Sequence, residues 1–415
     1  MEAREQLLLA TALEMGRLAN DALTKAGLGE AIVVGDARRG VEVVEELSML
    51  VRGPCESSSL ARALGRAAAG EAVEVVDAHT VRMRFDGGGP VHVRVVAPGA
   101  FVEALLRGTG STRHVRWLST MAADAGGLQA VCKRCRTEED VYAALGLPFA
   151  PPELREGSTR QVPELLGKVE GVFHVHTTWS DGAATIADMA RAARDAGFGY
   201  VGITEHSKTA SYAGGLNATQ LSQQARAIAR ARRDVPGVVL LHGVEVDVLP
   251  DGSLDLDDRT LASLDFVIAS VHADLDMKGP EMTARMVRAV SHPLVTILGH
   301  PTGRLLLGRH GSAFDVEAVA DAAAANGTFL EINANPQRLD LGADLVRRAA
   351  ARGAQFAIDP DAHTPRGIRD TALGVAVARR AGLSPVQVLN ARGPREVASY
   401  LAARKRRAKR SLALA

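Results

Sequence analysis

The sequence predicts an α/β chain in two parts: a smaller α+β module over residues 1–150 and, past a linker, a barrel of seven β/α units over 171–400. Three observations point there. From Gly171 onward, seven short apolar runs alternate with Ala-rich amphipathic stretches. His, Asp or Glu stands at the C-terminal end of six of those runs, and Asn at the other. Before Leu147, strand-like and helical segments mix without that regularity.

In the front part AIVVG, VRMRF and VHVRVV read as strands among Ala-rich helices, the texture of an α+β module. LPFAPPELREGSTRQVPELLGK (147–168) carries four prolines and little apolar periodicity, which places a linker at 151–170. The seven runs are VFHVH (172–176), YVGIT (200–204), VVLLHGV (238–244), FVIAS (266–270), LVTIL (294–298), TFLEI (328–332) and QFAID (355–359). Helical stretches such as ATIADMARAARDAGF separate them, closed by Gly at the C-cap position. Alternation of this kind implies parallel strands joined by right-handed crossovers. Seven units make a barrel one short of the usual eight, with an open doubly wound sheet as the alternative.

Bulk composition excludes several classes. The 49 basic and 48 acidic residues nearly cancel, so a case for nucleic acid must rest on local patches. Three cysteines in 415 residues exclude a disulfide scaffold and suit a reducing cytoplasm; Cys132 and Cys135 read as incidental thiols. MEAREQLLLATALEMGR reads as an amphipathic helix rather than a signal peptide, and no apolar run approaches the ~20 residues of a membrane span. RKRRAKR (404–410), basic at six of seven positions, reads as a solvated tail within 401–415 or as a source of non-specific phosphate contacts.

The polar strand ends carry the chemistry. His174 and His176 are i and i+2 of one strand, point the same way and can share an ion. Glu205 and His206 follow the second run, Glu245 and Asp247 the third, and His272 the fourth. His300 follows the fifth, Asn333 the sixth, and Asp361 with His363 the seventh. A β/α barrel places its active site at that end, so the pattern predicts a metal site. His242, His292 and His310 fall outside this level and read as packing or surface residues.

HVHTTWSD, ITEH, GVEVD, SVHAD, LGHPTGR and DPDAH, in that order, resemble the PHP (polymerase and histidinol phosphatase) family of metal-dependent phosphoesterases, from about Gly171 to Gly393. The resemblance implies a distorted (β/α)7, TIM-like barrel and a trinuclear site held by His174, His176, Asp181, His206, Glu245, His272, His300, Asp361 and His363. One arrangement of that set for hydrolysis puts His174, His176, Glu245 and Asp361 on one ion, and Glu245, His272 and His300 on a second. Asp181, His206 and His363 take the third. Six histidines and three carboxylates are too many for one ion and suit two or three. Ions ~3.5–4 Å apart can hold a bridging water, lower its pKa and support phosphoryl displacement. Manganese is favoured by the resemblance, with zinc and iron as alternatives for an imidazole-rich site. An amidohydrolase also opens with HxH, but bridges its metals with a lysine, and Lys208 is misplaced for that. Arg304 and Arg338, beyond the fifth and sixth strands, are candidate phosphate clamps or loop salt bridges. SKTASYAGGL (207–216) reads as a mobile loop near the mouth.

The front half resembles the palm and thumb of bacterial family X DNA polymerases, a nucleotidyltransferase-like module. The match lies in GDARRGVEVVEELSMLV, VHVRVVAPGAF, the TGS at 109–111 with His114, and TEEDVYAALGLPFAPPELREG. Where the family holds magnesium on three Asp residues, this sequence has Glu46, Ser48 and His92, which cannot build the hard oxygen cage Mg²⁺ needs. The palm motif begins near residue 35, without room before it for the usual lyase-type domain. Loss of polymerase activity is expected, with Arg38, Arg39 and the TGS segment as candidates for a retained phosphate contact. The expected function is a metal-dependent phosphoesterase on DNA 3′ ends or gaps: exonuclease, 3′-phosphatase or abasic-site nuclease. A small-molecule phosphatase, such as one for histidinol phosphate, and a non-catalytic DNA-binding protein are the alternatives.

Overall fold

A computed structural model describes residues 6–67, 73–84 and 89–413, in two compact units, 1–163 and 164–415. In the first unit, β1 (Ala31–Val34), β2 (Leu47–Arg52), β3 (Val73–Val75), β4 (Thr80–Arg84) and β5 (Pro90–Val96) form one sheet of order β1-β2-β5-β4-β3. Only β2 and β5 run parallel. The expected strand VRMRF is β4, although its Phe85 lies outside the described residues, as do residues 1–5 of the segment expected to be the N-terminal helix; Leu7 and Leu8 pair with Val44 and Val43, and the helix begins after them. That helix, α1 (Leu9–Lys25), buries Leu9, Ala12, Met15, Ala19 and Leu23, the spacing of an amphipathic face.

Helices α2 (Phe101–Thr109), α3 (Thr112–Met121) and α4 (Glu138–Ala144) follow. Val102, Leu106, Leu118, Val131, Val141 and Tyr142 make their common core. The proline-rich stretch expected to link the units begins inside this core. Ala150 and Arg155 are fully buried, and Arg155 donates to the Ala150 carbonyl (2.8 Å) and to Glu138 (2.5 Å). At the other end Leu166, also buried, pairs its N–H with the Leu383 carbonyl of the second unit (2.8 Å).

Seven parallel strands build the second unit: β6 (Gly171–Val172), β7 (Tyr200–His206), β8 (Val239–Asp247), β9 (Ile268–Ser270), β10 (Ile297–Leu298), β11 (Phe329–Asn333) and β12 (Gln355–Asp359). They pair strictly in sequence order. Barrel rather than open sheet is decided beyond the ends of β6 and β12. Val175 pairs in parallel with Ala362, through His176 N–H to the Ala362 carbonyl (2.9 Å) and Ala362 N–H to the His174 carbonyl (3.2 Å). The Asn390 amide fills the seam below, donating to Gly171 and Ile358 carbonyls and accepting from the Ile358 N–H. The barrel is therefore nearly closed, with seven strands.

Phe173, Tyr200, Phe266, Ile268, Ile297 and Phe329 fill its interior, a packed floor rather than a pore. Gly202 and Gly243 make room for it: a Cβ at either would sit 2.5 Å from the Phe266 ring. The basic run 404–410 is not a detached tail. It is the second half of α5 (Pro394–Ser411), where Leu401, Arg404 and Ala408 are buried and Arg404 donates to the Gly327 carbonyl (2.7 Å). No helix among the described residues is long and apolar enough to cross a membrane.

Candidate metal centre

Above the aromatic floor the strand ends turn their polar residues inward. Glu245, fully buried on β8, stands at the middle. Its Oε1 lies 3.3 Å from His174 Nε2, 3.2 Å from His272 Nε2 and 2.8 Å from His300 Nε2. Its Oε2 lies 2.8 Å from His206 Nδ1 and 3.6 Å from His176 Nε2. Asp361 Oδ1 approaches His176 Nε2 (3.3 Å) and His174 Nε2 (3.6 Å) from the seam. At the mouth the half-exposed Asp181 meets His363 (3.3 Å), His206 (3.4 Å) and His176 (3.6 Å).

The structure thus brings all nine sequence-expected side chains into one cluster. Three sets of donor atoms converge within 4.8 Å: His176, Asp181, His206 and His363; His174, His176 and Glu245; His206, Glu245 and His272. The sets share His176, His206 and Glu245, so His176 joins the Asp181 set and His206 also reaches the Glu245 side.

The donor set fits divalent cations. His174 Nε2, both nitrogens of His176, His206 Nδ1, His300 Nδ1 and Glu245 Oε2 are buried and make no hydrogen bond. Buried polar atoms are rarely left so unless something else satisfies them. The electrostatics agree. Burial drives imidazoles towards neutrality, but Glu245 reverses this and, with Asp181, holds His206 up at about 10. Against the same burial, Glu245 and Asp247 hold His272 at about 9. His176, buried and flanked by His206 and His363, goes down to about 3. Burial works against the Glu245 and Asp361 charges too, and the surrounding imidazoles hold both carboxyls well below their ordinary range. Cationic charge belongs among these carboxylates, whether carried by protons or by metal ions.

Two ligand positions are held in an unusual backbone. His300 (φ 23°) and Asp361 (φ 50°) lie in the left-handed region, which side-chain-bearing residues enter at a cost that clusters at functional sites.

A ring of acids stands behind the cluster; Asp247 was read in the sequence as a strand-end carboxylate, while Glu331 and Asp359 were missed. Glu331, fully buried, accepts from His174 Nδ1 (2.7 Å), which turns Nε2 toward Glu245. Its other oxygen accepts the His300 N–H (2.5 Å) and the Asn333 amide (3.1 Å). Asp247 accepts from His272 Nδ1 in the same way. Asp359 accepts the Phe173 N–H (2.6 Å) and is held above its ordinary range by burial and then by Glu331. The signal was the period of two. Glu331 and Glu245 each stand two residues before another polar residue of one strand face, Asn333 and Asp247, and Asp359 stands two residues before Asp361, just past its strand. Because such partners fix ligand tautomer and orientation, Glu331→Gln is expected to lower metal affinity about 10- to 100-fold. Metal titration of the apoprotein checks this; unchanged affinity would remove Glu331 from that role.

The two arginines separate. Arg304 donates Nε to the Arg338 carbonyl (2.8 Å) and Nη2 to the Leu339 carbonyl, so these donors brace a loop. Arg338, which that loop carries, reaches Asp361 Oδ2 at 3.4 Å and borders the cluster. In the first unit Glu46, Ser48 and His92 do come together: Ser48 and His92 are register partners, and His92 Nε2 lies 3.6 Å from Glu46. Arg38 and Arg39, considered for phosphate, instead hydrogen-bond inward to Thr109 and Glu138, and to the Thr109 carbonyl and Glu156, respectively.

The PHP domain model matches residues 173–335, within the unit that carries this cluster. The DNA polymerase beta thumb model matches residues 104–156, the helical part of the first unit. Across both, the chain is 37% identical over 340 residues to the DNA polymerase/3′-5′ exonuclease PolX of Bacillus subtilis (strain 168), covering 78% of this chain and 60% of that protein. The chain thus spans less than two thirds of that relative's length. The chain is also 29% identical over 249 residues to a probable phosphatase of Thermoanaerobacter sp. (strain X514), which it covers to 95%, and 28% identical over 234 residues to one of Syntrophotalea carbinolica, covered to 92%.

Proposed function

We propose that the chain is a metal-dependent phosphoesterase that hydrolyses phosphate esters at DNA 3′ ends or gaps, with templated synthesis lost. The observation that carries this reading is Glu245, one buried carboxylate ringed by five imidazoles. Two further carboxylates and six unsatisfied buried donor atoms belong to the same cluster. Two to three divalent ions held by the nine residues, manganese first and zinc or iron as alternatives, would neutralise phosphate charge and lower the pKa of an attacking water.

The chain's own part is positioning. Glu331 and Asp247 hold His174 and His272 with Nε2 inward, and Asn333 donates to Asp361 Oδ2 (3.2 Å). Arg338, beside Asp361, is the cation placed to bind a non-bridging phosphate oxygen, and Arg304 keeps its loop in place. The DNA-end assignment is supported by similarity to PolX across both units. The small-molecule alternative is favoured by the probable phosphatases, which match a smaller share of this chain, 56% against 78%.

Elemental analysis of the full-length protein, with a panel of single-stranded DNA, gapped duplex, histidinol phosphate and a primer–template, tests this reading. Two to three ions per chain, phosphate or nucleotide release from DNA and no primer extension are expected. One ion or none would overturn the cluster, and release from histidinol phosphate alone would overturn the DNA assignment.

A further inference from the structure

The loop after β7 presents an aromatic ring at the mouth of the cluster. Tyr212 is 76% exposed, and among the described residues no other aromatic side chain is as open. Its ring centroid lies 6.4 Å from that of His206. Burial, and then the charges of Asp247, Glu245 and Asp181, hold the phenol above its ordinary range.

Single exposed apolar residues need no explanation on an ordinary surface. This one is fixed in place. The Leu216 N–H bonds the His206 carbonyl (2.7 Å), the Thr209 N–H bonds Asp255 (2.9 Å), and Ser207 Oγ accepts from the Asp247 N–H (2.9 Å). Ala210 and Ala213, which flank Tyr212 in sequence, are buried. Gly215 runs so close to Ser207 that a Cβ would sit 1.9 Å from its carbonyl oxygen. Gly214 (φ 70°) turns the chain beside Ser180, next to Asp181. The loop expected to be mobile is tied to the two segments that carry His206 and Asp181.

We propose that Tyr212 is the stacking platform for the nucleobase next to the scissile phosphate, and so the residue that makes the site select a nucleotide over a plain phosphate ester. The proposal rests on the phosphoesterase reading and narrows its substrate. A flat, sequence-tolerant ring beside an anion site is how proteins hold single-stranded nucleic acid, because every base offers a π-face. The open side of the ring leaves a polymer free to continue outward, which a site closed around a small ester would not need.

Two single-stranded oligonucleotides separate the outcomes, identical except that one ends in a normal 3′ nucleotide and the other in a tetrahydrofuran abasic residue. The full-length protein should cleave the first with kcat/KM higher by about 5- to 150-fold, the range of one base–aromatic stack. Tyr212→Phe should keep that preference, and Tyr212→Ala should bring the ratio near one with metal content unchanged. A 3′-terminal 2-aminopurine gives a readout without turnover: its fluorescence should be quenched on binding to the wild type and Tyr212→Phe, and not to Tyr212→Ala. Equal cleavage of both oligonucleotides, or quenching that survives in Tyr212→Ala, would overturn the platform alone. Loss of the preference in Tyr212→Phe would assign the effect to the hydroxyl and overturn stacking. If only histidinol phosphate is hydrolysed, the DNA reading fails and the platform with it.

Discussion

Replacing Glu245 by Gln should lower phosphoester hydrolysis by about three decades or more and remove at least one metal ion per chain. The expectation follows from the number of groups that depend on one carboxylate. Five histidine nitrogens lie within 3.6 Å of its two oxygens, and it belongs to two of the three converging donor sets. The glutamine keeps the shape and loses the charge that offsets repulsion between neighbouring cations. Catalytic metals account for several kcal/mol of transition-state stabilisation, and each 1.36 kcal/mol is about tenfold in rate. Arg304→Ala separates from it: that variant should keep its metal and weaken substrate binding by loosening the loop that carries Arg338. Elemental analysis and hydrolysis rates of both proteins check this. Near-normal rates in Glu245→Gln with ions depleted would place the catalytic centre elsewhere.

The barrel was legible because its strands are short apolar runs between Ala-rich helices, and each run recurs as a strand or as its immediate surroundings. First-strand pairing is the exception. Regular ladder bonds cover only Gly171–Val172, since His174 and His176 lie past them, where the chain bridges to Ala362 instead of to β12 itself. The metal cluster was legible for a related reason: ionisable side chains at the ends of buried strands stand out against Val, Ile and Leu. Glu331 and Asp359 carry the same signal inside their strands, where a charge within an apolar run is easily passed over as an interruption. What could not be read was which donors were already engaged. Nothing in HPTGR marks Arg304 as a brace rather than a clamp, because its acceptors are backbone carbonyls 34 and 35 residues away. Proline content hides packing in the same way: the LPFAPPELR segment is irregular in backbone yet delivers a fully buried arginine to the first unit's core.

That arginine supplies the second large effect: Glu138→Ala should destabilise the first unit by about 3–5 kcal/mol, the cost of leaving a buried charge without its partner. Glu138 is 5% exposed and opens α4, where it takes Arg155 on one oxygen (2.5 Å) and Arg38 on the other (2.6 Å). Arg155 is wholly buried between Tyr142 and Phe149, with its guanidinium carbon 5.6 and 5.4 Å from the two ring centroids. Water cannot compensate it there. Burial alone would push the Glu138 carboxyl up, but Arg38 and Arg155 outweigh it and hold the group below its ordinary range. A depressed folded-state value means that the contribution is complete above the unfolded carboxyl's pKa of about 4.3, and lost as pH falls through the folded value. The stability difference between wild type and Glu138→Gln should therefore be largest near neutrality and shrink below about pH 4. Urea unfolding followed by Trp117 fluorescence, in a Trp179→Phe background so that only the first unit reports, measures both quantities. A loss below about 1 kcal/mol for Glu138→Ala, the size of an exposed pair, or a Glu138→Gln difference that does not change between pH 7 and pH 3, would show that the Arg38–Glu138–Arg155 network does not hold this unit together.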